Sequence, residues 1–146
     1  MTNQFPKFLL GLSRPVKRLM AMSLDVALCI ATVWFSFYLI ADGRVVMQGE
    51  HWLVMGLSMA LAIPIFAKLG LYRAVFRYAG AAALVTIAKA AFIYAVFFVT
   101  LLYVIALPGV PRTFGVLQSL LLLLTVEISR AVGRYLLSGE YINRID

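Results

Sequence analysis

Apolar residues run almost unbroken through four stretches of this chain, Leu19–Ala41, Trp52–Leu69, Ala82–Leu107 and Phe114–Val132, and the polar residues collect between them. An α-helix rises about 1.5 Å per residue, so about 20 apolar residues cross a hydrocarbon core about 30 Å thick. The pattern predicts an all-α membrane protein, a four-transmembrane-helix bundle with spans at about 19–41, 52–69, 82–107 and 114–132. Residues 1–18 then form a cytoplasmic interfacial segment, 19–137 the membrane domain, and 138–146 the start of a linker. The connections carry matching punctuation. Gly43 and Gly49 break the chain around Asp42–His51, and Pro108-Gly109-Val110-Pro111 reads as a tight turn with Thr113 placed to cap the fourth helix. Ser13-Arg14-Pro15 reads as a helix start, with Ser13 as cap and Pro15 in the first turn. Ahead of it, Phe5, Phe8, Leu9, Leu10 and Leu12 with Lys7 suit a segment lying among headgroups. Pro64 is expected to kink the second span.

Composition narrows the classes further. With 64% hydrophobic residues and a mean hydropathy of +0.98, the chain has too little polar surface to coat a soluble globule. One domain consumes nearly all of its 146 residues. No stretch has the period-two strands of a nucleotide-binding βαβ unit, and no Gly-x-Gly-x-x-Gly or P-loop pattern occurs. Cys29, the single cysteine, reads as a small buried hydrophobe. His51, the single histidine, reads as a solvated loop residue beside Trp52, which suits an aromatic belt. One Cys and one His make no standard zinc site, and no Ser/His/acid set is visible. The first run is too long for a signal-peptide core and lacks a small-x-small cleavage site, so it should remain as a signal anchor.

Charge sets the expected orientation. Lys7, Arg14, Lys17 and Arg18 precede or open the first span; Lys68, Arg73, Arg77 and Lys89 lie around the second connection; Arg130, Arg134 and Arg144 follow the fourth. That is eleven cations on one side against Arg44 and Arg112 on the other. The positive-inside rule then places both termini in the cytoplasm. The net charge of +7 is spread over several loops, which fits anionic lipid and argues against nucleic acid.

Two groups of residues could carry chemistry. Gly70-Leu71-Tyr72-Arg73-Ala74-Val75-Phe76-Arg77-Tyr78-Ala79-Gly80 suits a short amphipathic helix at the cytoplasmic interface, with Arg73 and Arg77 on one face and Tyr72 and Phe76 on a neighbouring one. Such a basic shelf could hold a lipid phosphate, a polyprenyl-phosphate or a soluble partner; the plainer reading is a positive-inside loop with aromatic anchors. The second group is an inner-leaflet polar cluster of Asp25, Lys89, Glu127, Arg130 and Arg134. A charge at mid-bilayer costs at least about 2.5–3.5 kcal/mol, so these residues should pair or snorkel. Asp25 is expected to pair with Arg130 or Lys89, and Glu127 with Arg130 or Arg134; a proton or ion relay is the alternative role. Small residues at four-residue spacing (Ala27 and Ala31, Gly56 and Ala60, Ser129 and Gly133) would let helices approach closely. The aromatics Phe92, Tyr94, Phe97, Phe98 and Tyr103 read as lipid-facing or packing residues.

The order of these features resembles a known family. Arg14-Pro15-Val16-Lys17-Arg18 precedes the first span, Asp25-Val26 lies within it, the Gly70–Gly80 run follows the second, Pro111-Arg112 precedes the fourth, and Ser129-Arg130 closes it. Together they resemble the N-terminal membrane domain of the bacterial nucleotide-sugar dehydratases and epimerases that supply capsule, O-antigen and protein-glycan assembly. The central Gly-Leu-Tyr-Arg…Arg-Tyr run is the most specific part, and the resemblance covers essentially the whole chain. It implies a multi-pass protein of the bacterial inner membrane, prone to homo-oligomerise and working near glycosyl-1-phosphate transferases. In that family a cytoplasmic Rossmann domain follows, binding NAD(P) and acting on a UDP-N-acetylhexosamine, typically by 4,6-dehydration. Its glycine loop and catalytic residues have no counterpart here, so no catalytic, cofactor or metal residue carries over. The chain thus reads as a non-catalytic anchoring and assembly module, excised or truncated where the linker to that domain begins. The competing readings are a small four-helix transporter or polyprenyl-linked sugar flippase, and a subunit of a larger membrane complex. The eleven-to-two charge bias and the position of Asp25 near one end of its span weigh against a small exporter with a midplane acid.

Overall fold

In the computed structural model, residues 11–44, 48–74 and 81–142 are described. They form α1 (Arg14–Ile40), α2 (Gly49–Lys68), the single turn α3 (Leu71–Ala74), α4 (Ala81–Ile105) and α5 (Thr113–Ile142), with no strand among the described residues. Four of the helices are long and apolar enough to cross a membrane, which marks the chain as a membrane protein. A helix suits that solvent because all its backbone groups bond within the segment.

The helix ends differ from the apolar runs. α1 begins at Arg14 because Ser13 is extended at the cap position and Pro15 fits the first turn. The Ser13 side chain makes no capping bond; its carbonyl accepts from Lys17 N at 3.2 Å. Thr113 is the first residue of α5 rather than its cap. α5 also continues beyond Val132 to Ile142, so helix occupies much of the stretch expected to begin a linker. The expected headgroup-zone segment lies mostly outside the described residues.

The long helices form a closed ring in which α1 packs on α2 and α5, and α4 packs on the same two. Successive long helices run in opposite directions. The end of α1, the start of α2 and the connection at 106–112 therefore lie at one end, the hairpin end, and α3 lies at the other. At the hairpin end, the Phe37 ring stacks on Phe114 with centroids 4.2 Å apart and meets His51 at 4.1 Å. His51 lies in the first turn of α2, half-buried, and its Nδ1 accepts the Gln48 N–H at 3.2 Å. It is thus a capping residue rather than a solvated loop residue.

Two of the three expected small-residue pairs do not make the contacts inside the bundle, and the third, Ser129 and Gly133, is half-buried. Ala27, Ala31, Gly56 and Ala60 are exposed. Close approach occurs instead at Gly115, where a Cβ would lie 3.3 Å from Val99 and Leu102 side-chain atoms and 3.4 Å from the Val99 Cα. Because that last contact is backbone, a larger residue forces α4 and α5 apart. Gly115→Leu should lower stability by about 1–3 kcal/mol in detergent unfolding, whereas Gly56→Ala, which meets open space, should stay within about 0.5 kcal/mol of the parent. Equal effects at the two glycines would contradict this packing.

Candidate functional site

Two buried polar layers interrupt the apolar interior. The first lies toward the α3 end. Asp25 of α1 is fully buried, and its Oδ2 accepts from Arg130 Nη2 of α5 at 2.7 Å; Arg130 is only 6% exposed. Tyr72 of α3 closes this site, with Arg130 Cζ 5.8 Å from its ring centroid and the Asp25 carboxylate within interaction range of its phenol. Gly70, at φ +75°, makes the left-handed turn that ends α2 and swings α3 across the bundle end. Leu71 and Tyr72 are consequently buried. Burial, reinforced by the Asp25 charge, pushes the Tyr72 phenol well above its ordinary value, so it stays protonated. Asp25 Oδ1, Arg130 Nε and Tyr72 Oη are buried here without a hydrogen bond of regular geometry.

This placement corrects part of the expected basic shelf. Tyr72 is not an interfacial anchor; it is a plug pointing into the bundle, because a single turn held between α1, α2 and α4 must bury its apolar side. The Arg73 side chain, Phe76 and Arg77 fall outside what the structure describes.

The expected five-residue cluster also divides. Asp25 and Arg130 come together, and Arg134 Nε donates to the Arg130 carbonyl at 3.3 Å. Lys89 does not join them: it is exposed on α4. Glu127 is half-buried on α5, with Arg134 in electrostatic reach but no hydrogen bond to Oε2. Helical geometry explains both. Lys89 is five residues from Tyr94, about 140° around the helix, and Glu127 is nine from Gln118, about 180°. Tyr94 faces the bundle axis, so Lys89 faces away from it; Glu127, about 60° around α5 from the buried Arg130, lies at the flank of the buried face and is half-buried.

The second layer was not foreseen, and each long helix supplies one member. Tyr94 Oη donates to Gln118 Oε1 at 2.9 Å, Gln118 Nε2 donates to Ser58 Oγ at 3.1 Å, and Ser58 Oγ lies 2.8 Å from Tyr94 Oη. With the Tyr and Gln protons committed, Ser58 donates to Tyr94 and closes a three-membered ring of hydrogen bonds. Gln118 Nε2 also approaches Thr32 Oγ1 at 3.4 Å, while Thr32 donates to its own Leu28 carbonyl at 2.8 Å. Closed rings of this kind polarise each member in the same sense. The signal available in the sequence was weak: one polar residue at a similar depth in each run, diluted by apolar neighbours.

Chemically, these layers hold helices together. The carboxylate–guanidinium pair and the amide–hydroxyl ring each join residues from different helices. Among the described residues no group of His, Cys, Asp and Glu could hold a metal ion. Around them the axis is filled by Phe66, Phe98, Phe114, Leu122 and Val126, all buried. The molecule is an all-helical bundle, among the described residues, with four helices long and apolar enough to cross a membrane. No family model, no curated protein and no solved structure matches the chain.

Proposed function

We propose that this chain is the membrane-anchoring and assembly domain of a nucleotide-sugar 4,6-dehydratase or epimerase of bacterial surface-polysaccharide synthesis. On this reading it spans the cytoplasmic membrane four times with both termini inside, and α3 lies at the cytoplasmic face. The observation that carries it is a convergence. Asp25, Leu71-Tyr72 and Arg130 come from three separate segments that bear the family resemblance, and they meet in one buried site. NAD(P) binding and dehydration belong, on this proposal, to a soluble domain carried beyond the bundle; the bundle would hold that domain near membrane-bound glycosyl-1-phosphate transferases or polyprenyl-phosphate acceptors. The filled axis favours an anchor over a transporter, which needs a polar path.

Two measurements test the proposal. A fluorescent-protein fusion after Asp146 should be bright and an alkaline-phosphatase fusion there inactive, with the reverse at Val110. The genomic reading frame after the Asp146 codon should continue into a glycine-rich nucleotide-binding loop. An active phosphatase at Asp146 overturns the orientation, and an immediate stop codon overturns the anchor reading.

A further inference from the structure

Two charges of opposite sign lie off the bundle axis within the spanning helices, one exposed and one half-buried. Lys89 is exposed on α4 and has no partner among the described residues. Glu127 is half-buried on α5, and of its carboxylate oxygens Oε2 is buried and accepts no hydrogen bond. Arg134 acts on Glu127 through space, and its Nε donates to the Arg130 carbonyl. A charge facing hydrocarbon is costly unless it meets an opposite charge or reaches the headgroups.

The two lie at compatible depths. Tyr94 and Gln118 are hydrogen-bonded and mark one level across α4 and α5. Lys89 is five residues from Tyr94 toward the α3 end, about 7.5 Å, and Glu127 is nine from Gln118 in the same direction, about 13.5 Å. Helical side chains lean toward the N-terminus of their own helix. α4 starts at the α3 end and α5 at the hairpin end, so Lys89 leans toward the level of Glu127 and Glu127 leans back toward that of Lys89. The flexible four-carbon lysine stem suits the remaining gap.

We propose that these residues are the bonding pair of a homo-oligomer in the membrane, the Lys89 ammonium of one copy meeting the Glu127 carboxylate of another. A second copy is the fitting occupant because it carries both charges at these same two depths. The exposed apolar neighbours Val85, Phe92, Leu124 and Ile128 supply the surrounding contact. The inference rests on the helices spanning a bilayer and is independent of the enzyme family the domain serves.

Cysteine cross-linking in native membranes tests it with the full chain. One copy carries Val85→Cys, one turn from Lys89; a differently tagged copy carries Ile128→Cys, beside Glu127. Cys29 is fully buried and stays unreactive. A short bismaleimide should join the two tags into a mixed adduct. Lys89→Glu in both copies should remove most of it, and adding Glu127→Lys in both should restore it. Lys89→Leu, which removes the cation without adding repulsion, should also lose most of the adduct while the monomer keeps its melting temperature. Absence of a mixed adduct from the parent pair overturns the proposal, as does an adduct unchanged by Lys89→Leu, the outcome for a lysine that snorkels to headgroups. The fusion reporters at Asp146 and Val110 read orientation alone, so the two proposals fail separately.

Discussion

Arg130→Met is expected to lower the stability of the bundle by about 3–5 kcal/mol, the usual consequence of removing one member of a buried ion pair. Asp25 is fully buried, and its Oδ2 accepts a charge-assisted hydrogen bond from Arg130. Without the guanidinium the carboxylate must either stay charged in a medium of low dielectric or take up a proton; both disfavour the folded bundle. The double variant Asp25→Leu with Arg130→Met should recover most of the loss, since a buried pair replaced by apolar groups of similar volume is often neutral. Asp25→Asn should fall between them, keeping the shape but leaving Arg130 without its counter-charge. Unfolding by sodium dodecyl sulfate in mixed micelles, followed by circular dichroism, measures all three. If the double variant is as unstable as Arg130→Met alone, the pair is not the energetic unit described.

Tyr94→Ala is the second large effect, expected at about 3–5 kcal/mol. The side chain is fully buried at the axis, stacked on Phe98 with centroids 5.3 Å apart and tilted against Phe66 at 6.4 Å. Truncation removes the ring from the contact between all four helices and leaves a cavity that a constrained bundle cannot close. Tyr94→Phe separates packing from hydrogen bonding. It retains the ring but deprives Ser58 and Gln118 of a partner, at an expected cost of about 0.5–2 kcal/mol. The same micelle titration gives both numbers. A Phe variant as damaging as the Ala variant would mean that the hydrogen-bond ring, not the aromatic packing, dominates this layer.

The two predictions differ in how far the sequence anticipated them. Asp25 and Arg130 stand out in any reading, because ionisable residues inside apolar runs demand a partner, and the pairing with Arg130 or Lys89 could be anticipated from depth alone. Choosing between them required the azimuth of each helix. Tyr94 gave little such warning: in a run with Phe92, Phe97, Phe98 and Tyr103, lipid-facing and buried aromatics look alike. The structure divides them, burying Tyr94 and Phe98 and exposing Phe92, Phe97 and Tyr103. Tyr72 was misplaced for a related reason. Helical spacing grouped it with Phe76 but left open whether that face met headgroups or the bundle.

By itself, then, the chain determined the solvent, the number of long helices and their approximate limits. Those are one-dimensional properties, since a stretch of apolar residues can be measured directly against the thickness of a hydrocarbon core. Only the tertiary structure decided which side of each helix faces the axis. That choice depends on ring order and on contacts between residues far apart in sequence, such as Asp25 with Arg130, 105 positions away. In lipid the apolar residues face bilayer and interior almost equally well, so hydropathy carries little azimuthal information, and the few polar side chains settle the packing by finding one another.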